Sequence, residues 1–561
     1  MNRFLLFPFF VFFIILFASC INEAQIGCSA KRYVRLVKDK PISEQLKWDC
    51  AVYEICDIID MHGETVKVPA KSKLVFKNGM LKNGALTGNY KIVAPSNKIF
   101  ENVDISSYTS PLKFSWFVGN RKVLFSKDFK KLPSVRIDFE RVNYTAGECL
   151  VWDKMNGFDF VNLNLESSYD IHFWLTPITE YFCSPVGDSN NYQGKIKTSV
   201  SLPKSFEGYL IEITTADRTK YDYRPDKDGV PSLYKGLSTT ISKIDRDGIR
   251  LKDELEFFSA ERVYNNSTVK SKCRVFKPKK FTLSNCNFIF SNKAGISLRG
   301  VDFLIEKCKF EACDGANSLV SLGGCYGLVK DCIVKGAFYS GTHTSYGIQI
   351  VKGANIVIEN CEFFENRRGV DFSGGFESRY NEVRDCVFHQ QKNVEKTGSA
   401  MGGHATSYGN IYRNNVLYGD YQVGIQCRGE NEIIEGNHFY CNASTMIVFA
   451  YNTQILNNII EASAGSIPGV FAASGIKEEG NVLRVLNNKV EIRKIFINGD
   501  SNITYDVYNN EVLFSPTVSS EEPIVFSHEP ENYIFSHNKI ECSKKNKVIK
   551  LTDKKIYQIN Q

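Results

Sequence analysis

The chain has 561 residues, of which 43% are apolar, 23% charged and 13% aromatic, a globular composition that excludes a disordered or collagen-like polymer. Its 69 Lys and Arg against 62 Asp and Glu leave a formal charge of +7, too thin an excess over this length to point to a nucleic-acid binder. At roughly 150 residues per domain the length suggests about four domains, a division that fails if one short unit is stacked many times.

The first element in chain order is an export signal. Arg3 precedes an apolar run from Phe4 to Phe17, and the small pair Ala18-Ser19 leads to Cys20. The run is shorter than the roughly 20 residues a membrane span needs and fits a signal-peptide core. Its end resembles the lipobox of bacterial lipoproteins of the Bacteroidota type, with Phe17 where Leu is usual. That resemblance implies cleavage before Cys20, lipidation of Cys20 and residence in the cell envelope as an outer-membrane lipoprotein. No later stretch approaches about 18 uninterrupted apolar residues, so attachment through the lipid alone is expected. Residues 21–60, with Cys28, Cys50 and Cys56, read as a linker or cap.

Residues 61–280 read as N-terminal coils with insertions. Thr65–Val68, Lys73–Phe76 and Lys91–Val93 are short strand-like runs, and Asn78-Gly79 and Asn83-Gly84 supply turns between them. Further strand-like pieces occur at Val135–Phe139, Phe160–Leu165 and Tyr209–Ile213 within a less regular stretch. That stretch is either more coils with long insertions or a small β domain resting on them. Asp226–Gly229 and Asp245–Gly248 look superficially like calcium loops but lack the run of oxygen ligands, and read as Asp-Gly turns.

From residue 281 to 541 one phrase recurs. Asn285-Cys286-Asn287-Phe288 is followed by copies at Cys308, Cys332, Cys361 and Cys386, then with Asn in place of Cys at Asn415, Asn437, Asn458, Asn488, Asn510 and Asn538. The mean spacing is about 25 residues, the flanking strands run three to five residues, and no helical periodicity intervenes. One coil of a parallel β-helix has this length and texture. Stacked rungs lie about 4.8 Å apart, so the six asparagines form a ladder whose amides bond up and down the stack. The five cysteines continue it with a small apolar residue, and free buried thiols are expected there rather than disulfides or a metal site. Residues 542–561 form a basic tail.

This repeat resembles the right-handed parallel β-helix of the pectin-lyase-like superfamily. The resemblance implies an all-β fold, a solenoid with an N-terminal β cap section, and a bias toward carbohydrate. The motifs of polygalacturonases and of typical pectate lyases are missing from the chain, so the resemblance assigns no catalytic residue.

Candidate site residues come from aligning the coils. An outward column reads Ser297, Ser321, Gln349, Asp371, His404, Gln426, Val448, and the column beside it includes Arg299, Ser373, Thr406 and Arg428, with Lys352 nearby. The steps from Cys332 to Cys361 and from Cys386 to Asn415 are 29 positions each, and the extra length projects loops, one carrying His343, beside the strip. For uronate β-elimination His404 supplies a base, Arg428 or Lys352 a carboxylate neutraliser and Tyr408 a proton donor. For hydrolysis Asp371 and Glu430 are the available carboxyl pair. The expected catalytic set is therefore His404, Asp371 and Arg428, with Gln349, Gln426, Lys352, Tyr408, Glu430 and His343 binding substrate. No cofactor is evident, and calcium is compatible with the fold class but required by no motif. The expected partner is a polysaccharide, not a nucleic acid, met by a monomeric polysaccharide lyase or, failing that, a glycosidase. The alternative is a non-catalytic surface protein that binds glycan or serves as a spacer.

Overall fold

The computed structural model describes residues 32–542, apart from 131, 154, 187–193, 219–233, 256–257, 265, 339–344, 374–377, 390–397, 405–406, 420–422, 442–443, 449–451, 462–470, 474–480, 493–495, 500–502, 516–523 and 527–532. Cys20 and His343 lie outside the described residues. The chain divides into two compact units, residues 1–120 with 131–135, and residues 121–130 with 136–561. Among the described residues no helix is long and apolar enough to cross a membrane.

The first unit is built from short parallel strands. Tyr33–Leu36, Val52–Ile55, Ser72–Phe76 and Tyr90–Val93 pair in one sheet, and Ile58–Asp60, Thr65–Lys67 and Phe100–Asp104 all pair with the longer strand Met80–Thr87 in another. Alternating residues such as Tyr53, Ile55, Leu74 and Phe76 fill a common core. The texture read from Thr65 onward is parallel coil, with Asn83-Gly84 inside the long strand Met80–Thr87 rather than at a turn between strands. Cys50 is disulfide-bonded.

The second unit holds the solenoid, and its fold is the one expected, an all-β, right-handed parallel β-helix. Each full coil contributes one strand to each of three parallel sheets. Lys280–Ser284, Asn287–Phe290 and Ile296–Val301 make one such coil, and the sheets containing the last two have 14 and 12 strands. The coils do not begin at 281: Gly157–Val161 pairs with Lys280–Ser284, and Ile171–Phe173 with Ile296–Leu298. Between these partners the chain leaves the solenoid to form a closed antiparallel barrel of Pro177–Pro185, Lys195–Thr198, Gly248–Leu251, Tyr234–Asp245, Leu210–Arg218 and Lys272–Phe276. Its own core includes Ile211, Ile213, Leu237, Ile241 and Val275. Both readings of this stretch hold in part: Val135–Phe139 and Phe160–Leu165 contribute to solenoid coils, whereas Tyr209–Ile213 belongs to the small β domain inserted between coils. Asp245–Gly248 turns one of its hairpins.

The polar ladder explains why this repeat persists without repeating apolar residues strictly. Asn437 accepts through Oδ1 from the Asn415 backbone N–H and from Asn415 Nδ2, both at 3.0 Å, and donates Nδ2 to Asn458 Oδ1 and Tyr412 O. Every hydrogen-bonding position of that buried amide is thus used, as a polar group in a dry interior requires. The same pattern runs from Cys386 through Asn538. The left-handed bend falls one residue earlier than the ladder itself, on Asn414, Gly436, Asn457, Asn487, Asn509 and His537, with φ between 54° and 65°. Below it Cys286, Cys308, Cys332, Cys361 and Cys386 are buried free thiols. A second ladder, not legible beforehand, runs along another edge. Ile356 N–H donates to Asn381 Oδ1, Asn381 donates to Asn410 Oδ1, and Asn410 Nδ2 donates to Glu432 Oε1. Burial raises the Glu432 carboxyl above the usual range, favouring the neutral acid, which resembles the amide it replaces.

Candidate functional site

The outward column of the third sheet runs His172, Ser297, Ser321, Gln349, Asp371, Gly402, Gln426. This corrects the alignment above at two rungs: Ser399–Gly403 is the strand, so Gly402, not His404, stands beside Asp371, and Ile447, not Val448, stands beside Gln426. His404 lies just past the strand end, where its N–H donates to Phe372 O at 2.9 Å and its carbonyl accepts from Ser407 Oγ at 2.8 Å. The turn brings its ring back, so that Nε2 sits 3.4 Å from Asp371 Oδ2.

Asp371 is fully buried although its column faces outward. The covering group is Arg368, itself 5% exposed, which donates through Nη1 to Asp371 Oδ1 and through Nη2 to Gln426 Oε1 at 2.6 Å. Gly402 lets the guanidinium span that rung. A Cβ there would stand 3.5 Å from Arg368 Nη1, so any longer side chain would take its place. On the other side Ser373 Oγ donates to Asp371 Oδ2 at 2.6 Å and accepts from Gln349 Nε2 at 2.5 Å, while Gln349 Oε1 accepts from Ser318 Oγ at 2.5 Å. One hydrogen-bonded chain therefore links Ser318, Gln349, Ser373, Asp371, Arg368 and Gln426 along the strip. Burial alone would raise the Asp371 pKa, but the Arg368 charge, followed by His404 and Ser373, outweighs it and holds the carboxyl below the usual carboxylate range.

The surroundings carry more positive than negative charge. Tyr346, 5% exposed, has the Arg368 guanidinium 5.9 Å from its ring centroid and a hydrogen bond from Arg367. Burial, then the charge of Asp371, raises its hydroxyl pKa, while Arg368, Arg367 and Arg428 oppose that. Burial and the like charge of Arg368 lower the Arg367 pKa. Arg428 donates Nε to Gly403 O at 3.3 Å, next to the His404 turn. Three guanidinium groups thus gather around the Asp371–His404 pair, an arrangement suited to an incoming anion. Sequence reasoning missed Arg367 and Arg368, although an adjacent arginine pair entering a strand of an otherwise short-chain polar strip was a usable signal.

His404, Asp371, Arg428, Gln349 and Gln426 are therefore assembled together. Lys352, Glu430 and Tyr408 are placed differently. The barrel reaches the solenoid here: Ser238 Oγ donates to Lys352 O at 3.1 Å, and Lys235 Nζ pairs with Glu430 Oε2 at 3.1 Å. Tyr408 is 3% exposed, with the Arg379 guanidinium 4.4 Å over its ring. Buried phenol and paired carboxylate are poorly disposed to touch a substrate. Among the described residues no group of three or more His, Cys, Asp or Glu side chains is arranged to hold a metal ion.

The chain matches the family model described as a right handed beta helix region over residues 238–407 and, overlapping it, 318–512. No curated protein matches it in sequence. Among solved structures its backbone is similar to the tailspike gp61 of Pseudomonas phage phi297, with TM-score 0.47 and 9% identity over 75% of this chain and 70% of that one. It is similar also to the tailspike gp49 from Pseudomonas phage LKA1, with TM-score 0.44 and 11% identity over 72% of each chain. An alginate lyase from a Paenibacillus species aligns with TM-score 0.31 and 14% identity over 47% of this chain and 93% of that one.

Proposed function

We propose that this protein is an exported, lipid-anchored enzyme that cleaves an acidic extracellular polysaccharide by β-elimination. The observation that carries the proposal is the Asp371–His404 pair, 3.4 Å apart, set among Arg367, Arg368 and Arg428. Asp371 orients the imidazole through Nε2 and leaves Nδ1 as the base. In the reaction Nδ1 takes the C5 proton of a uronate, the C5 electron pair forms the C4–C5 double bond, and the C4–O bond breaks. The imidazolium then returns its proton to the departing oxygen. Arg428 and Arg367 stabilise the negative charge that builds on the uronate carboxylate in the transition state.

Elimination is favoured over hydrolysis by the fate of the two carboxyl groups that hydrolysis would need. They must flank the scissile bond, yet Asp371 is fully buried and Glu430 is held by Lys235. Export is supported by residues 4–20 and by the disulfide at Cys50, a bond that persists in oxidising compartments. Lipidation of Cys20 belongs to the same proposal. The test is incubation of the protein with polygalacturonate, alginate and hyaluronan, following the ultraviolet absorbance of unsaturated uronate. Release by wild type and none by His404→Ala supports the reading. Binding without release identifies a glycan-binding surface instead.

A further inference from the structure

We infer that Trp174 and His172 form a distal sugar-binding platform on the same strip, so that the protein holds an extended glycan lying along the solenoid axis. The inference rests on the reading above and adds a site and a chain-length requirement to it.

His172 is the first described polar residue of the outward column, paired in register with Ser297. Trp174, two positions on, points to the same face, and its ring lies 4.5 Å from the His172 ring, tilted by 45°. The four tryptophans separate clearly. Trp116 and Trp152 are buried, and Trp48 carries the Arg32 guanidinium 3.9 Å over its ring. Trp174 is 53% exposed, so a large apolar ring is presented to solvent beside a column that carries Val151 on one side and runs on through serine, glutamine and charge on the other. A lone exposed apolar residue needs no explanation. An exposed indole on the rung column of a charged site is a different case, because its π face attracts the polarised C–H groups on the apolar side of a pyranose ring.

The register sets the reach. From His172 through Ser297, Ser321 and Gln349 to Asp371 is four rungs, or roughly 19 Å at the strand spacing. A pyranose repeat has nearly the same length as one rung, so a glycan with one uronate at His404 and another sugar on Trp174 spans about four further residues. Between the two ends Ser297 and Ser321 present small, half-buried hydroxyl side chains. Immediately beside Trp174, Arg299 is engaged by Glu212 from the barrel, so the platform contributes stacking rather than charge.

The experiment compares wild type, Trp174→Ala and Trp174→Phe on polyuronate chains of two lengths, trimers too short to bridge the strip and polymer long enough to do so. Binding and cleavage are both measured. Trp174→Ala is expected to raise KM or Kd for polymer about tenfold with kcat and trimer affinity unchanged, and Trp174→Phe to recover most of the loss. An unchanged melting temperature accompanies this, since the side chain is exposed. Equal polymer affinity in wild type and Trp174→Ala overturns the platform while leaving the proposed activity standing. Failure of wild type to bind or cleave any polyuronate overturns the functional reading and the platform with it.

Discussion

Replacing Asp371 by Asn tests the electrostatics of the site without changing its shape. The carboxylate has no solvent exposure and is held by Arg368, Ser373 and His404, while Arg368 is itself 5% exposed. Removing one partner of such a pair leaves the other charge buried and uncompensated, which costs about 3 kcal/mol or more. The loss is to be read from urea unfolding at fixed pH. Its pH dependence follows from the lowered folded pKa of Asp371. The ionised carboxylate stabilises the fold fully above its unfolded pKa of about 3.9, and that stabilisation is lost only as pH falls through the lower folded value. The gap between wild type and Asp371→Asn is therefore constant from about pH 5 to 8 and narrows below about pH 4. A variant within about 0.5 kcal/mol of wild type at neutral pH, or a gap that widens on acidification, would refute the reasoning.

Three further outcomes are expected. His404→Ala abolishes cleavage but barely moves the melting temperature, because the side chain is 22% exposed and its contact with Asp371 is long, at 3.4 Å. Asn437→Ala strands the Asn415 N–H and Nδ2 in a dry interior, and unfolding by urea should show a loss of about 3 kcal/mol. With a thiol reagent, the exposed Cys149 and Cys313 react in the native protein, whereas Cys286, Cys308, Cys332, Cys361 and Cys386 react only on unfolding, which peptide mapping of the labelled chain distinguishes.

The solenoid was legible because its ladder is written in residues that recur for a reason. Buried Asn and Cys stack at one corner whatever apolar residues fill the rest of the coil. The site was partly legible. Period-two alternation identified the face carrying Asp371, Gln349 and Gln426, but alternation reports direction, not cover, and Arg368 lies over the carboxylate. His404 was assigned to the wrong rung because Ser399–Gly403 has no pattern of its own, ending in two glycines. It reaches Asp371 through a turn that no periodicity reveals. Lys352 and Glu430 read as open surface because their partners, Ser238 and Lys235, come from a barrel strand more than a hundred residues away in sequence. The barrel itself closes through antiparallel, mostly non-local pairings that no single strand pattern announces.

Mass spectrometry of the products released from polygalacturonate, alginate or hyaluronan tests the central claim most directly. β-Elimination at His404 predicts oligosaccharides whose new non-reducing end is an unsaturated uronate, one water lighter than a hydrolysis product, absent with His404→Ala. Products carrying the added water, or full release by His404→Ala, would contradict it.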